Sequence, residues 1–288
     1  MDNPLFHDFV KLTIFTLMLG IGVSMSFREL IGLWRRPLDL VRSLLAVVVF
    51  VPLVVVLLLL VFDLPREVAT GLAVLAAAPG APLTSQRARM AAGSIPYTAS
   101  LQLTLALLAV VIAPLTLGIF YALFDLATEA VHPLAVASQV ARVQLLPVGI
   151  GLAIQHFVPG ASKRLAKPLV VIGTVLFLVL VLTLVVPSVR IVSNIGILPI
   201  VAIVLMAAAA LAIGHLLGGA DLHERSAVAI SSVARNVGLA LFIATLSGAE
   251  KALAPTLVSY MALGSLVAIP YAIRAKRLIA RGESETED

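Results

Sequence analysis

The chain has 288 residues, 61% of them hydrophobic and only 12% charged, with a mean hydropathy of +1.11 and no cysteine. Soluble domains carry about twice that share of charge, so a soluble single-core fold, a disordered chain and a nucleic-acid module are all excluded. Without cysteine there is no disulfide, thiolate metal site or cysteine nucleophile, and the formal charge of +5 has to be read by position rather than by sum. What remains is an all-α polytopic membrane protein, embedded in a lipid bilayer.

A helix needs about 20 mostly apolar residues to cross the hydrocarbon core. Reading between charged residues, with turns at Pro and Gly clusters, predicts nine transmembrane helices. They run at about 9–27, 38–62, 67–92, 96–124, 134–157, 166–188, 195–219, 223–248 and 253–274. The opening MDNPLFHDF is acidic where a cleaved signal peptide is basic. The loops are too short for a soluble domain, so function is expected within the bundle.

Basic residues set the orientation. Arg28, Arg35, Arg36, Arg42, Arg87, Arg89, Lys163, Arg164, Lys167, Arg225, Arg274, Lys276, Arg277 and Arg281 fall on one side. Only Lys11, Arg66, Arg190 and Lys251 fall on the other. This asymmetry predicts an outside N-terminus and a cytoplasmic C-terminus, in a bacterial inner membrane or its equivalent. The acidic tail at 277–288 reads as a solvated end. Arg142 and Arg235 are left within spans.

The third helix reads GLAVLAAAPGAPLTSQRARM. Pro79 removes a backbone donor, Gly80 loosens the turn, and Pro82 repeats the interruption. A broken span is tolerated in lipid only where neighbours or a cavity satisfy the freed groups. Those groups form a binding surface, to which Thr84 and Ser85 add hydroxyls. The eighth helix reads RSAVAISSVARNVGLALFIA, with Ser231, Ser232, Arg235, Asn236 and Gly238 crowding its centre. A mid-membrane Arg-Asn pair is costly unless it faces protein or water. The plainer readings are a proline kink in the third helix and simple packing in the eighth.

The two interrupted spans lie at corresponding places and run in opposite directions. That is the pattern of an inverted-topology repeat, helices one to four (1–130) against five to nine (131–276), and it points to a transporter site.

At these residues the chain resembles the bile acid:sodium symporter family. The likeness covers LMLGIGVSMSFREL, AAAPGAPLTSQRARMAAGS, ARVQLLPVGIGLAI and AISSVARNVGLALFIA. The family's first pattern is Pro-Gly-Gly with Ser-Asn two residues on. Pro79 and Gly80 match, Ala81 replaces the second Gly, and Thr84 and Ser85 stand for Ser-Asn. Of the second pattern, Glu-Val-Gly-Met-Gln-Asn-Ser-Gly-Leu-Ala, the chain keeps Asn236, Gly238, Leu239 and Ala240. Ser231 replaces the Glu, Ser232 follows it, and Arg235 replaces the Gln. The resemblance implies a core domain around two crossing broken helices, a panel domain and alternating access, in a nine-helix form lacking the family's first helix. It also implies binding of small or amphipathic organic anions around Pro79, Gly80, Thr84, Ser85, Arg235, Asn236 and Gly238.

The family's sodium sites use the Glu and Gln that are replaced here, and oxygens at the places of Thr98 and Gln102. Thr98 keeps the hydroxyl and Gln102 does not. Ser231 is neutral, and a unit charge ~4 Å from a cation costs about 4 kcal/mol at an effective dielectric of 20. Sodium is therefore an expected coupling ion for the family and a poor fit at Thr84, Ser85, Thr98, Gln102, Ser231, Ser232 and Arg235.

All fifteen acidic residues lie outside the deep parts of the predicted spans, so Arg235 has no carboxylate at its own depth. It either supplies fixed positive charge to an anionic substrate, which a guanidinium can bind bidentately, or staples the break through carbonyls. Arg142 reads as snorkelling outward, with Ser138, Gln139 and Gln144 on the same helix. Tyr97, Thr98, Ser100, Gln102 and Thr104 form a polar run on the fourth helix. Asn194 and His215 read as cap or interface residues and His156 as solvated; no metal-binding spacing occurs. The phosphate-binding GxxxxGK motif is missing, and Ser231 and Ser232 have no base in sequence reach for catalysis. A secondary transporter without a cofactor is the leading class, and a non-transporting sensor on the same fold is the rival.

Overall fold

The computed structural model describes residues 4–126, 133–192 and 196–287, and no strand occurs among them. The expected Asn194 lies outside the described residues, as does Glu129. In lipid an unpaired backbone amide or carbonyl finds no water, so apolar runs of this length close their hydrogen bonds internally as helices.

The elements are α1 (Pro4–Ser24), α2 (Phe27–Trp34), α3 (Pro37–Leu44), α4 (Val51–Val61), α5 (Arg66–Ala77), α6 (Thr84–Met90) and α7 (Ile95–Phe124). They continue with α8 (Pro133–Val140), α9 (Leu146–Phe157), α10 (Pro159–Val192), α11 (Ile197–Leu217), α12 (Leu222–Val233), α13 (Val237–Leu246) and α14 (Glu250–Glu287). Among the described residues, eight stretches are long and apolar enough to cross a membrane. One is the interrupted α12–α13 unit, Leu222–Leu246. The α5–α6 stretch, with pieces of 12 and 7 residues on either side of its break, is not among them.

Two spans carry a π-helical segment, Leu45–Phe50 between α3 and α4 and Ala141–Leu145 between α8 and α9. Each precedes a proline by one intervening residue, Pro52 and Pro147. A proline inside a helix lacks the amide for the preceding turn and presses on its carbonyl, and widening that turn to a π segment relieves the clash.

The ends differ from the sequence expectation at three helices, the first being α1, which starts at Pro4 rather than at 9. α10 starts at Pro159, seven residues before the expected 166, and α14 continues to Glu287 well past 274. Charged residues such as Lys163, Arg164, Lys276 and Arg277 end the apolar run but are good helix formers, so the helix outlasts the hydrocarbon-facing stretch. The tail expected as a solvated end is part of α14.

α1 packs against α9 and α10, while α11 packs against α12 and α14. The α1–α9 approach is set by Gly22 and Gly151. A Cβ at Gly22 would lie 2.4 Å from the Val148 carbonyl oxygen, and one at Gly151 would lie 2.7 Å from the Gly22 Cα. Small residues of this kind let helix backbones touch in a membrane, where no hydrophobic force separates protein from lipid. Leu53, Leu57 and Leu60 of α4 and Val171, Val175, Leu178 and Leu182 of α10 are exposed, an apolar outer surface suited to lipid. By contrast residues 226–245 are buried without exception, and so are 71–81. The two interrupted stretches are the ones that the rest of the bundle encloses.

At the arginine-rich end, Ser26 and Glu29 form a capping box that starts α2. Arg36 holds Glu224 of α12 with both terminal nitrogens (one contact is 2.8 Å) and lies 2.7 Å from Asp39. The hydrogen bond to Glu224 raises the Arg36 pKa above its ordinary value.

Candidate functional site: the meeting of two helix breaks

The first break runs from Ala78 to Leu83, between α5 and α6, and the second from Ala234 to Asn236, between α12 and α13. Gly80 sits at φ +77°, a conformation that L side chains avoid, and a Cβ there would come within 3.0 Å of the Leu105 side chain. The breaks are joined directly. The Asn236 amide donates to the Ala78 carbonyl at 2.9 Å, and Asn236 Nδ2 donates to the Gly80 carbonyl at 3.3 Å. Asn236 Oδ1 accepts from the Leu239 amide at 3.0 Å and so caps α13. One side chain, 1% exposed, therefore holds both interrupted helices in register.

Other groups of the first break are paired as well. The Ala81 carbonyl accepts from Thr84 Oγ1 at 2.6 Å, and the Pro82 carbonyl accepts from Gln102 Nε2 at 2.7 Å. Ser85 Oγ donates to Gln102 Oε1 at 3.0 Å, so Gln102 of α7 braces the break from both ends of its amide. Thr98 Oγ1 donates to Ser94 O at 2.7 Å, Ser231 Oγ to Ala227 O at 2.7 Å, and Ser232 Oγ to Val228 O at 2.8 Å. These three hydroxyls are turned back onto their own helices.

Arg235 is 3% exposed. Its Nη2 donates to the Val47 carbonyl, in the first π segment, at 2.9 Å. That carbonyl is available for a local reason. The Val51 amide donates instead to Ala46 O, and the next residue, Pro52, has no amide. The π segment and its proline thus leave a carbonyl inside the bundle for Arg235. The other nitrogens of the guanidinium group, Nε and Nη1, are buried and have no hydrogen-bond partner among the described residues.

A narrow cleft opens beside this group. Leu17 and Phe177 line it from α1 and α10, Pro82 and Arg87 from the first break and α6, Arg235 and Gly238 from the second break and α13, and Tyr260 and Ser265 from α14. The centre of a water-sized sphere fits in about 30 Å³ of it, enough for one or two waters. None of the described lining residues is acidic. The Tyr260 hydroxyl donates to the Val233 carbonyl at 2.9 Å, so the last carbonyl of α12 is engaged as well.

The structure thus gathers Gly80, Thr84, Ser85, Gln102, Arg235, Asn236 and Gly238 around the two breaks, with Pro79 in the first break itself. It leaves Thr98, Ser231 and Ser232 bonded within their own helices. The rest of the polar run on α7 faces α2 and α3: Thr104 accepts from Trp34 Nε1 at 3.0 Å, Ser100 accepts from the Leu33 amide at 3.2 Å, and Tyr97 lies 2.7 Å from Ser43 Oγ. Arg142 is exposed. Gln144 is fully buried and donates to Ala106 O at 2.9 Å. His215 lies 2.9 Å from the Tyr271 hydroxyl. Two residues were not picked out by the sequence reading. Arg87, counted there only as a marker of orientation, reaches the cleft. Glu250, placed there only outside the deep parts of the spans, is 1% exposed, with His7 Nε2 3.9 Å away. A charge beside a proline-rich break was the available signal for Arg87; nothing local marked Glu250.

Fold and site together define a polytopic helical membrane protein with two broken helices joined at a buried polar centre. Residues 11–195 match the model of the Sodium Bile acid symporter family, and the chain belongs to that family. The matched segment contains the first break and ends before the second. Sodium/bile acid cotransporter 4 of Mus musculus is 27% identical over 159 residues, covering 54% of this chain and 36% of the relative. The Homo sapiens protein of that name is 26% identical over the same length. The probable sodium/metabolite cotransporter BASS3, chloroplastic, of Oryza sativa subsp. japonica is 25% identical over 141 residues, 49% of this chain and 32% of the relative. The matches span about a third of these relatives' own length.

Proposed function

We propose that this protein is a secondary transporter of small organic anions that works by alternating access and does not use sodium as its coupling ion. The observation that carries the reading is Arg235: a guanidinium group buried where the two breaks meet, with two nitrogens unpaired and no acidic residue lining the adjacent cleft. A buried charge left without a partner is costly, and a carboxylate or sulfonate entering the cleft would supply one. The N-terminal end of α13 points the same way, since a helix start favours negative charge. The Val47 contact adds a bracing role to the binding role; a single guanidinium serves both.

The donor set supports the absence of sodium coupling. Sodium wants several oxygen ligands and gains from an anionic one, as the hard divalent cations do. Here Ser231 and Ser232 are neutral and bonded within their helix, four carbonyls of the first break already accept hydrogen bonds, and Arg235 adds positive charge. The residues do not suit the ion. The relatives' names favour a second reading, a sodium-coupled symporter with a rearranged ion site.

Counting α5–α6 as one interrupted span gives nine spans, and the two interrupted ones occupy matching places in an inverted repeat of four and five. α1, α8, α9 and α10 would form the panel, closed by the Gly22–Gly151 seam, and the remaining helices the core that carries both breaks. Rocking of one body against the other would expose the cleft to each side in turn. The charge asymmetry supports a cytoplasmic C-terminus. The test is anion binding, read by thermal shift across a panel of organic anions with and without sodium. Arg235→Gln should weaken binding of every responsive anion about ten- to a hundredfold. Unchanged affinity in the variant would refute the assignment.

A further inference from the structure

The cleft receives two guanidinium groups. Arg235 comes from the second break, with Nε and Nη1 buried and unpaired. Arg87 comes from α6, lines the same cleft, and makes no ion pair with a described residue. Tyr260 lines the cleft with them, and its hydroxyl proton is committed to the Val233 carbonyl. With no Asp or Glu in the lining, two positive charges share one partly dehydrated space without compensation.

A monoanion bound at Arg235 would leave Arg87 unmatched and the site still positive. Resting on the anion-transport reading above, we infer that the site takes an anion carrying two negative charges, one held by Arg235 and one by Arg87. Arg87 comes from α6, just after the first break, and Arg235 from the second break itself. Charges that enter from two segments suit two separated headgroups better than one compact ion, and a short dicarboxylate is the chemical class, taken up when the cleft widens beyond the one or two waters it has room for here. Each carboxylate would meet a planar fork able to bind bidentately. The second charge adds attraction and also relieves the repulsion between the arginines, an effect that grows as water leaves the cleft.

The experiment compares succinate with butyrate, which has the same number of carbons and one charge fewer, by calorimetric titration of the full chain in detergent at about neutral pH. The wild-type protein should bind succinate about ten- to a hundredfold more tightly than butyrate. Arg87→Gln should remove that preference by weakening succinate alone, and Arg87→Lys, which keeps the charge, should retain most of it. Arg235→Gln should weaken both anions. Arg87 is only partly buried, so its substitutions spare the core, and an unchanged melting temperature of the ligand-free Arg87 variants checks that they do. Equal wild-type affinities overturn the inference while leaving the anion reading intact. So does an Arg87→Gln variant that weakens both anions by the same factor or neither. A wild-type protein that binds neither anion overturns the inference together with the reading it rests on.

Discussion

Asn236 shows how one side chain can make a broken helix affordable in a membrane. Its amide, Nδ2 and Oδ1 each engage a backbone group that a continuous helix would have satisfied by itself. Replacing it with alanine removes the bond to Gly80 and the cap on α13, so Asn236→Ala should destabilise the protein by about 1–3 kcal/mol. Asn236→Asp keeps the cap acceptor and should fall between the two; melting temperatures in detergent measure both. The sequence pointed to Asn236 through its depth in an apolar span, but as a substrate ligand, and its partners across the breaks could not be read from spacing. Arg87 was missed for the opposite reason. Arginine near a helix end is such a common marker of orientation that its turn into the cleft left no trace in the chain's pattern.

At the scale of elements, the π segment before Pro52 ties helix geometry to site chemistry. Pro52 denies the preceding turn an amide, a carbonyl is left over, and Arg235 takes it. Pro52→Ala restores a competing amide. The variant should melt no lower than wild type, because an internal proline is itself destabilising, yet its anion affinity should drop several-fold as Arg235 loses a fixed anchor. Calorimetric titration with melting curves tests both halves of that statement; unchanged affinity would mean that the anchor is dispensable. Breaks at Pro79 and near Asn236 were readable from composition, since proline and buried polar residues stand out against an apolar background. The π segments were not, because a proline in a membrane helix is compatible with a kink, a break or a widened turn, and packing decides which. Helix ends outran the apolar runs at α10 and α14 because charge stops hydrocarbon contact without stopping a helix.

For the whole molecule, the enclosure of residues 226–245 and 71–81 and the apolar exterior of α4 and α10 separate a polar centre from a lipid-facing shell. Composition alone implied such a shell. Which helices form it depends on close approaches such as Gly22 to Val148, which pattern does not encode. If α1, α9 and α10 move as one body, their seam has to stay shut. Gly22→Ala should therefore destabilise the protein by about 1–3 kcal/mol through overpacking, seen as a lower melting temperature.

The central claim, anion transport around a fixed positive charge without sodium, is tested most directly by counterflow in proteoliposomes. Vesicles loaded with unlabelled succinate are diluted into labelled succinate, in sodium-containing and sodium-free buffer. The account predicts transient accumulation of label to the same extent in both, abolished by Arg235→Gln. Binding without exchange, or accumulation that appears only with sodium, would contradict it.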